Sequence, residues 1–189
     1  MKSPHSPRKK TSALAPELAS GLQLYKMGLL QEAERLFQTF LRNHPTHADA
    51  LHLCGLTVHA QGRHQEAAHL IERAIARDAS RATFHLNLAL CLAALGQQAA
   101  LHHLQVAVKI QPDLVDAWFN LGVLYSQKQD HVAAVASYRK VLALAPDHLT
   151  ALNNLGELLS RQGPHDEAAR LLSHALILSP DLTDAQYNL

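Results

Sequence analysis

Imidazole, thiol, carboxylate and carboxamide groups are the side chains through which this sequence could do chemistry. Fourteen histidines are present. His44 and His47 flank Pro45, His102 and His103 are adjacent, and His52 and His59 stand two turns apart on one helical face. A metal site needs a third or fourth donor at a fixed spacing, with Cys, Asp or Glu completing the set. None of these pairs has one, so the histidines are expected on the surface of second helices and turns, and no metal or other cofactor is expected. Cys54 and Cys91, the two cysteines, sit inside apolar pattern and read as small core residues. No phosphate-cradling loop, zinc-protease helix or serine elbow occurs. Glu32, Glu66 and Glu167 precede alanines at helix starts, where a negative charge stabilises the helix dipole. No residue set points to catalysis.

The carboxamides carry more. Asn87, Asn120, Asn154 and Asn188 each stand just before a Leu, in four successive segments. Asn costs several tenths of a kcal/mol in a helix relative to Ala, roughly 0.5 kcal/mol. An amide both donates and accepts, so a column of amides can pair with the backbone of an extended peptide whatever its sequence. Ala19 and Leu53 occupy the two earlier positions, so the column begins at the third segment.

The elements that must position this column follow from three ladders. Gly21, Gly55, Ala89, Gly122 and Gly156 recur at steps of 33 or 34 residues. So do Ala33, Ala67, Ala100, Ala134 and Ala168, and likewise Pro45, Ala79, Pro112, Pro146 and Pro180. The segment "GQQAA", Gly96 to Ala100, is one residue shorter than "GRHQEA", Gly62 to Ala67, which accounts for the single short step. Within one repeat, Trp118, Leu121, Gly122 and Tyr125 line one helix face, and Ala134, Tyr138 and Val141 line a second. Small residues at Gly122 and Ala134 let the two axes approach. Gly28, Gly62, Gly96 and Gly163 suit left-handed caps after the first helices, and Gln129 takes that place in the fourth unit. The prolines stop the second helices.

The pattern W-x2-L-G-x2-Y, then A-x3-F/Y, then P, carried nearly whole by residues 118–146, resembles the tetratricopeptide repeat (TPR) family. The resemblance implies an all-α, right-handed superhelical solenoid of antiparallel helix pairs. Five units are expected over 14–47, 48–81, 82–114, 115–148 and 149–182, with a basic tail over 1–13 and a truncated sixth unit over 183–189. First helices would form the concave wall and second helices the convex one. The asparagine column is similar to the ladder in the TPR arm of O-linked N-acetylglucosamine transferases, which holds peptide backbone. It implies a binding wall of Asn87, Asn120, Asn154 and Asn188 with Phe119, Val123, Gln127, Asn153, Glu157 and Arg161. The basic pair of the carboxylate-clamping TPR proteins is missing from the matching first-helix places, which hold Leu18, Leu22, His52, Leu53 and Thr83.

Composition bounds the partners. Lys2, Arg8, Lys9 and Lys10 concentrate four of the 17 basic residues in the first ten positions, leaving 13 against 16 acidic ones over the rest. A mildly acidic body lacks the basic stripe of a nucleic-acid groove. No apolar run reaches the ~18 residues of a membrane span, and two thiols without a disulfide framework point to the cytoplasm. The expectation is a non-catalytic scaffold that binds an extended peptide of a protein partner. The alternative is the recruiting arm of a larger enzyme, such as a peptide glycosyltransferase, methyltransferase or sulfotransferase. Because "DLTDAQYNL" repeats the opening of a unit, these residues are expected to be a fragment. The apolar face of unit five, including Leu172 and Ala175, would then be poorly covered and open to self-association.

Overall fold

The computed structural model describes residues 15–181. The tail expected over 1–13 and the sixth-unit start expected over 183–189, Asn188 included, lie outside the described residues. Ten α-helices and no strand occur among those described. They form five hairpins, units one to five in chain order. These are α1 (Pro16–Lys26) with α2 (Leu30–Asn43), α3 (Ala48–Ala60) with α4 (His64–Arg77), and α5 (Ala82–Ala94) with α6 (Ala99–Ile110). They continue with α7 (Val115–Gln127) and α8 (His131–Leu144), then α9 (Leu149–Gln162) and α10 (His165–Leu178). Each helix packs against the next along the chain, and α3 also touches α1 and α5. The result is an all-α solenoid in which the odd-numbered helices line one wall.

Local chemistry sets the helix ends. Asp130 accepts from the Ala133 N–H at 3.1 Å, and the Nδ1 atoms of His47 and His148 accept from Ala50 and Ala151 at 3.3 and 3.2 Å. Four second helices stop two residues before Pro45, Pro112, Pro146 and Pro180. Ala79 replaces that proline after α4, where the Asp78 carboxylate instead accepts from the Ser80 N–H at 3.1 Å and its hydroxyl at 2.6 Å.

The turns divide differently from expectation. Gly28, Gly62 and Gly96 take φ of 78°, 82° and 68°, and Gln129 holds the same left-handed geometry at 60° without being glycine. Gly163 does not: its φ of −178° is extended backbone. The next residue is Pro164, before which helical geometry is disfavoured.

Four of the five hairpins are closed by a large side chain from the second helix pressed onto a glycine of the first. A Cβ on Gly21 would meet the Phe37 ring at 2.5 Å; on Gly55, Ile71 at 2.6 Å; on Gly122, Tyr138 at 2.5 Å; on Gly156, Leu172 at 2.7 Å. Each partner lies 16 residues on. In unit three, where α6 is two residues shorter than the other second helices, Ala89 and Leu104 hold these places 15 residues apart, both buried. The ladder alanines Ala33, Ala67, Ala100, Ala134 and Ala168 are buried beside them. Leu172 and Ala175, expected to be poorly covered, are both 0% exposed. Leu172 fills the Gly156 site, and both belong to a cluster with Leu152 that Leu142, Leu149 and Leu176 flank.

Gly122→Ala should therefore destabilise the chain by about 1–3 kcal/mol, since Tyr138 is enclosed and cannot swing aside. Gly163→Ala, whose Cβ would meet nothing within 4 Å, should leave the melting temperature unchanged. Equal melting temperatures for the two variants would show that the glycine contact does not close the hairpin.

Candidate functional site

The first-helix wall is built from three columns of side chains at successive helical turns. Asn120, Val123 and Gln127 run along α7, and Asn154, Glu157 and Arg161 repeat the same places on α9. Asn87 holds the asparagine position on α5. Each amide is already held by one hydrogen bond. Asn87 Nδ2 is 2.8 Å from His52 Nε2, Asn120 Nδ2 donates to the Asp116 carbonyl at 2.7 Å, and Asn154 Nδ2 donates to the Tyr138 hydroxyl at 3.4 Å. A carboxamide has a second N–H and a carbonyl oxygen beyond the bond that orients it.

Five of the residues singled out by sequence meet in one recess of about 280 Å3 between α7, α8 and α9. Val123, Gln127, Asn154, Glu157 and Arg161 line it, together with Ser126, His131, Tyr138 and Leu158. Arg161 and Glu157 pair at 2.6 Å one turn apart, so the rim carries two charges that neutralise each other.

Phe119 and Asn153 go elsewhere. They share their place in the repeat with His52 and Leu86, a column that packs between neighbouring units. Asn153 is 8% exposed with its Oδ1 buried and unpartnered among the described residues. The Phe119 ring stacks on His148 at 5.0 Å, centroid to centroid. Sequence reading missed the second-helix contribution of Tyr138 and His131. Tyr138 carries the core pattern, and only its para-hydroxyl reaches the wall.

Two histidines depart from the surface set expected from sequence. His52 and His85 are buried on first helices. His85 occupies the place that Trp118 holds one unit later, and the two rings make the same bond. His85 Nε2 lies 3.3 Å from the Ala79 carbonyl, and Trp118 Nε1 donates to that of Pro112 at 2.9 Å. His52 lies 4.4 Å from the Phe84 ring, and burial, then the Arg81 charge, pushes its pKa down to about 4. His59 sits 3.0 Å from His64 and 3.3 Å from Cys91 Sγ. Burial raises the thiol pKa of Cys54 to about 12 and of Cys91 to about 11, which leaves both unreactive. Among the described residues, no group of three or more His, Cys, Asp or Glu is placed to hold a metal ion. No helix among them is long and apolar enough to cross a membrane.

Family models described as tetratricopeptide repeat match residues 113–181, 18–68 and 55–100. The chain belongs to the tetratricopeptide repeat family. Its TPR solenoid superposes on MamA with a TM-score of 0.77, at 23% identity over 86% of this chain and 96% of that one. YrrB, described as a TPR protein with an unusual peptide-binding site, gives 0.74 at 22% identity over 91% and 89%. A thermophilic TPR protein of Thermus thermophilus gives 0.68 at 26% identity over 90% and 94%. A search of curated protein sequences found no match. The family and fold make this chain a protein–protein interaction scaffold.

The buried histidines make the TPR array sensitive to acid. His52, His59, His85 and His103 all have folded pKa values below the ordinary 6.5, chiefly through burial. Below that value the unfolded chain takes up protons that the folded chain refuses. Stability is thus fully present above pH 6.5 and is lost as pH falls, for His52 down to about 4. For His52 the cost is at most roughly 1.4 kcal/mol per pH unit in that window. His52→Phe should flatten the loss of stability between pH 6.5 and 4.5 by about 1–3 kcal/mol. Denaturation curves with the same pH slope in both proteins would show that His52 is not held neutral.

Proposed function

We propose that the first-helix wall binds an extended peptide segment of a partner protein, with Asn87, Asn120 and Asn154 engaging its backbone. One observation carries the reading. The repeated columns on α7 and α9 bring Val123, Gln127, Asn154, Glu157 and Arg161 to a single recess, and Asn154 there, like Asn120 beside it on the wall, is oriented by a neighbour while keeping donor and acceptor capacity. Phe119 and Asn153 support the wall from behind and do not contact the peptide. Asn188, which lies outside the described residues, holds the matching position in the sequence repeat. YrrB, with the same fold, is described as having a peptide-binding site. The chain acts in the cytoplasm, where two buried thiols stay reduced. No catalytic step is assigned to it.

The test uses a peptide selected on the native chain from a displayed library of unstructured sequences. Asn87→Ala, Asn120→Ala and Asn154→Ala together should weaken its binding by about 10- to 1000-fold, at about 0.5–1.5 kcal/mol per bond. Stability should stay within about 1 kcal/mol, because Ala favours the helix more than Asn. Unchanged affinity in a calorimetric titration of the folded triple variant would remove the asparagine column from the binding site.

A further inference from the structure

The recess between units four and five has a filled counterpart between units two and three of the same chain. Residues 67 positions apart occupy equivalent places: His59 and Ser126, His64 and His131, Cys91 and Leu158. In the earlier units the His59 ring lies between its neighbours, 3.0 Å from His64 Nδ1 and 3.3 Å from Cys91 Sγ. In the later units the short side chain of Ser126 stands where that ring begins. His131 has lost its imidazole partner, and its Nδ1 is buried with no hydrogen bond. The space vacated is part of the recess, which Ser126, His131 and Leu158 all line.

Resting on the peptide-binding reading, we infer that this recess receives an aromatic side chain with a hydrogen-bonding edge, the phenol of tyrosine or the imidazole of histidine. Three features select that chemistry. Val123 and Leu158 offer apolar surface to a flat ring. The Ser126 hydroxyl and the Asn154 amide, which also line the recess, each donate and accept, and a phenol or a neutral imidazole can meet either. Phenylalanine would fill the space and offer those groups no partner. The third feature is charge. The Arg161–Glu157 pair is internally neutralised, so an acidic or basic ligand would have to break it or approach a like charge.

The full chain with labelled methyl groups tests this by titration with four single-residue probes. These are N-acetyl-tyrosinamide, N-acetyl-histidinamide, N-acetyl-phenylalaninamide and N-acetyl-glutamate amide. The tyrosine or histidine probe should move the Val123 and Leu158 methyl resonances and bind about 2- to 10-fold tighter than the phenylalanine probe, the worth of one neutral hydrogen bond. Which of the two binds tighter identifies the ring. Ser126→His restores the side chain present at His59 and should abolish probe binding. Absence of shifts, equal binding of the phenylalanine probe, or tighter binding of the glutamate probe would overturn the inference. A folded Ser126→His variant that still binds the probes would overturn it too, and should that variant not fold, the ranking in the native chain decides alone. The probes lack an extended backbone, so their failure leaves the asparagine column untouched, while failure of the triple asparagine variant leaves the ring site standing.

Discussion

One steric contact sets the geometry of the whole chain: a bulky residue of each second helix resting on a first-helix position that has no side chain. At Gly122 the Tyr138 ring occupies the volume of the missing Cβ, and Phe37, Ile71 and Leu172 do the same in their own units. The contact brings the axes of a hairpin close and fixes their relative height. Unit three shows what happens when the device is altered. Ala89 replaces the glycine, Leu104 holds the place of Phe37, Ile71, Tyr138 and Leu172, and the segment between the two is one residue shorter, yet both positions remain buried. The hairpin thus accommodates one added methyl group together with a shift of one residue between its helices.

That closure also determines what the wall can do. Tyr138 is at once the residue that fills Gly122 and the residue whose hydroxyl meets Asn154 in the next unit. A core contact and a wall contact therefore share one side chain, and the recess inherits the rigidity of the hairpin beneath it. Between units two and three the corresponding wall is dressed with histidines instead, where His52 holds Asn87 and His59 fills the gap. Two halves of one array thus present different chemistry from one backbone plan, the first closed and acid-sensitive, the second open.

Much of this was legible in the residues. The ladders of small residues and prolines define where helices start, stop and touch, because each has a steric cause that recurs with the repeat. Val123, Gln127, Asn154, Glu157 and Arg161 were placed on the first-helix wall in one set with Phe119 and Asn153, and helical spacing did not reveal which of these would meet in one recess. Three features were not visible that way. The burial of His52 and Asn153 is masked by their polarity, though Leu86 and Phe119 at the same place in the repeat mark the column as interior. The wall role of Tyr138 depends on the far end of a side chain whose ring follows the core pattern. Gly163 does not take the left-handed turn that its residue type suggested, while Gln129 does take it without being glycine.

Backbone recognition is the central claim, and chemical alteration of the peptide backbone tests it most directly. A peptide selected on the native chain can be remade with methyl groups on alternate backbone nitrogens, side chains unchanged. Amide pairing to the asparagine column requires those N–H groups, so the methylated peptide should bind at least about tenfold more weakly, on the scale of one or two lost hydrogen bonds. A methylated peptide that binds as tightly as its parent on every choice of alternate positions would mean that the wall reads side chains alone, and the account of the asparagine column would be wrong.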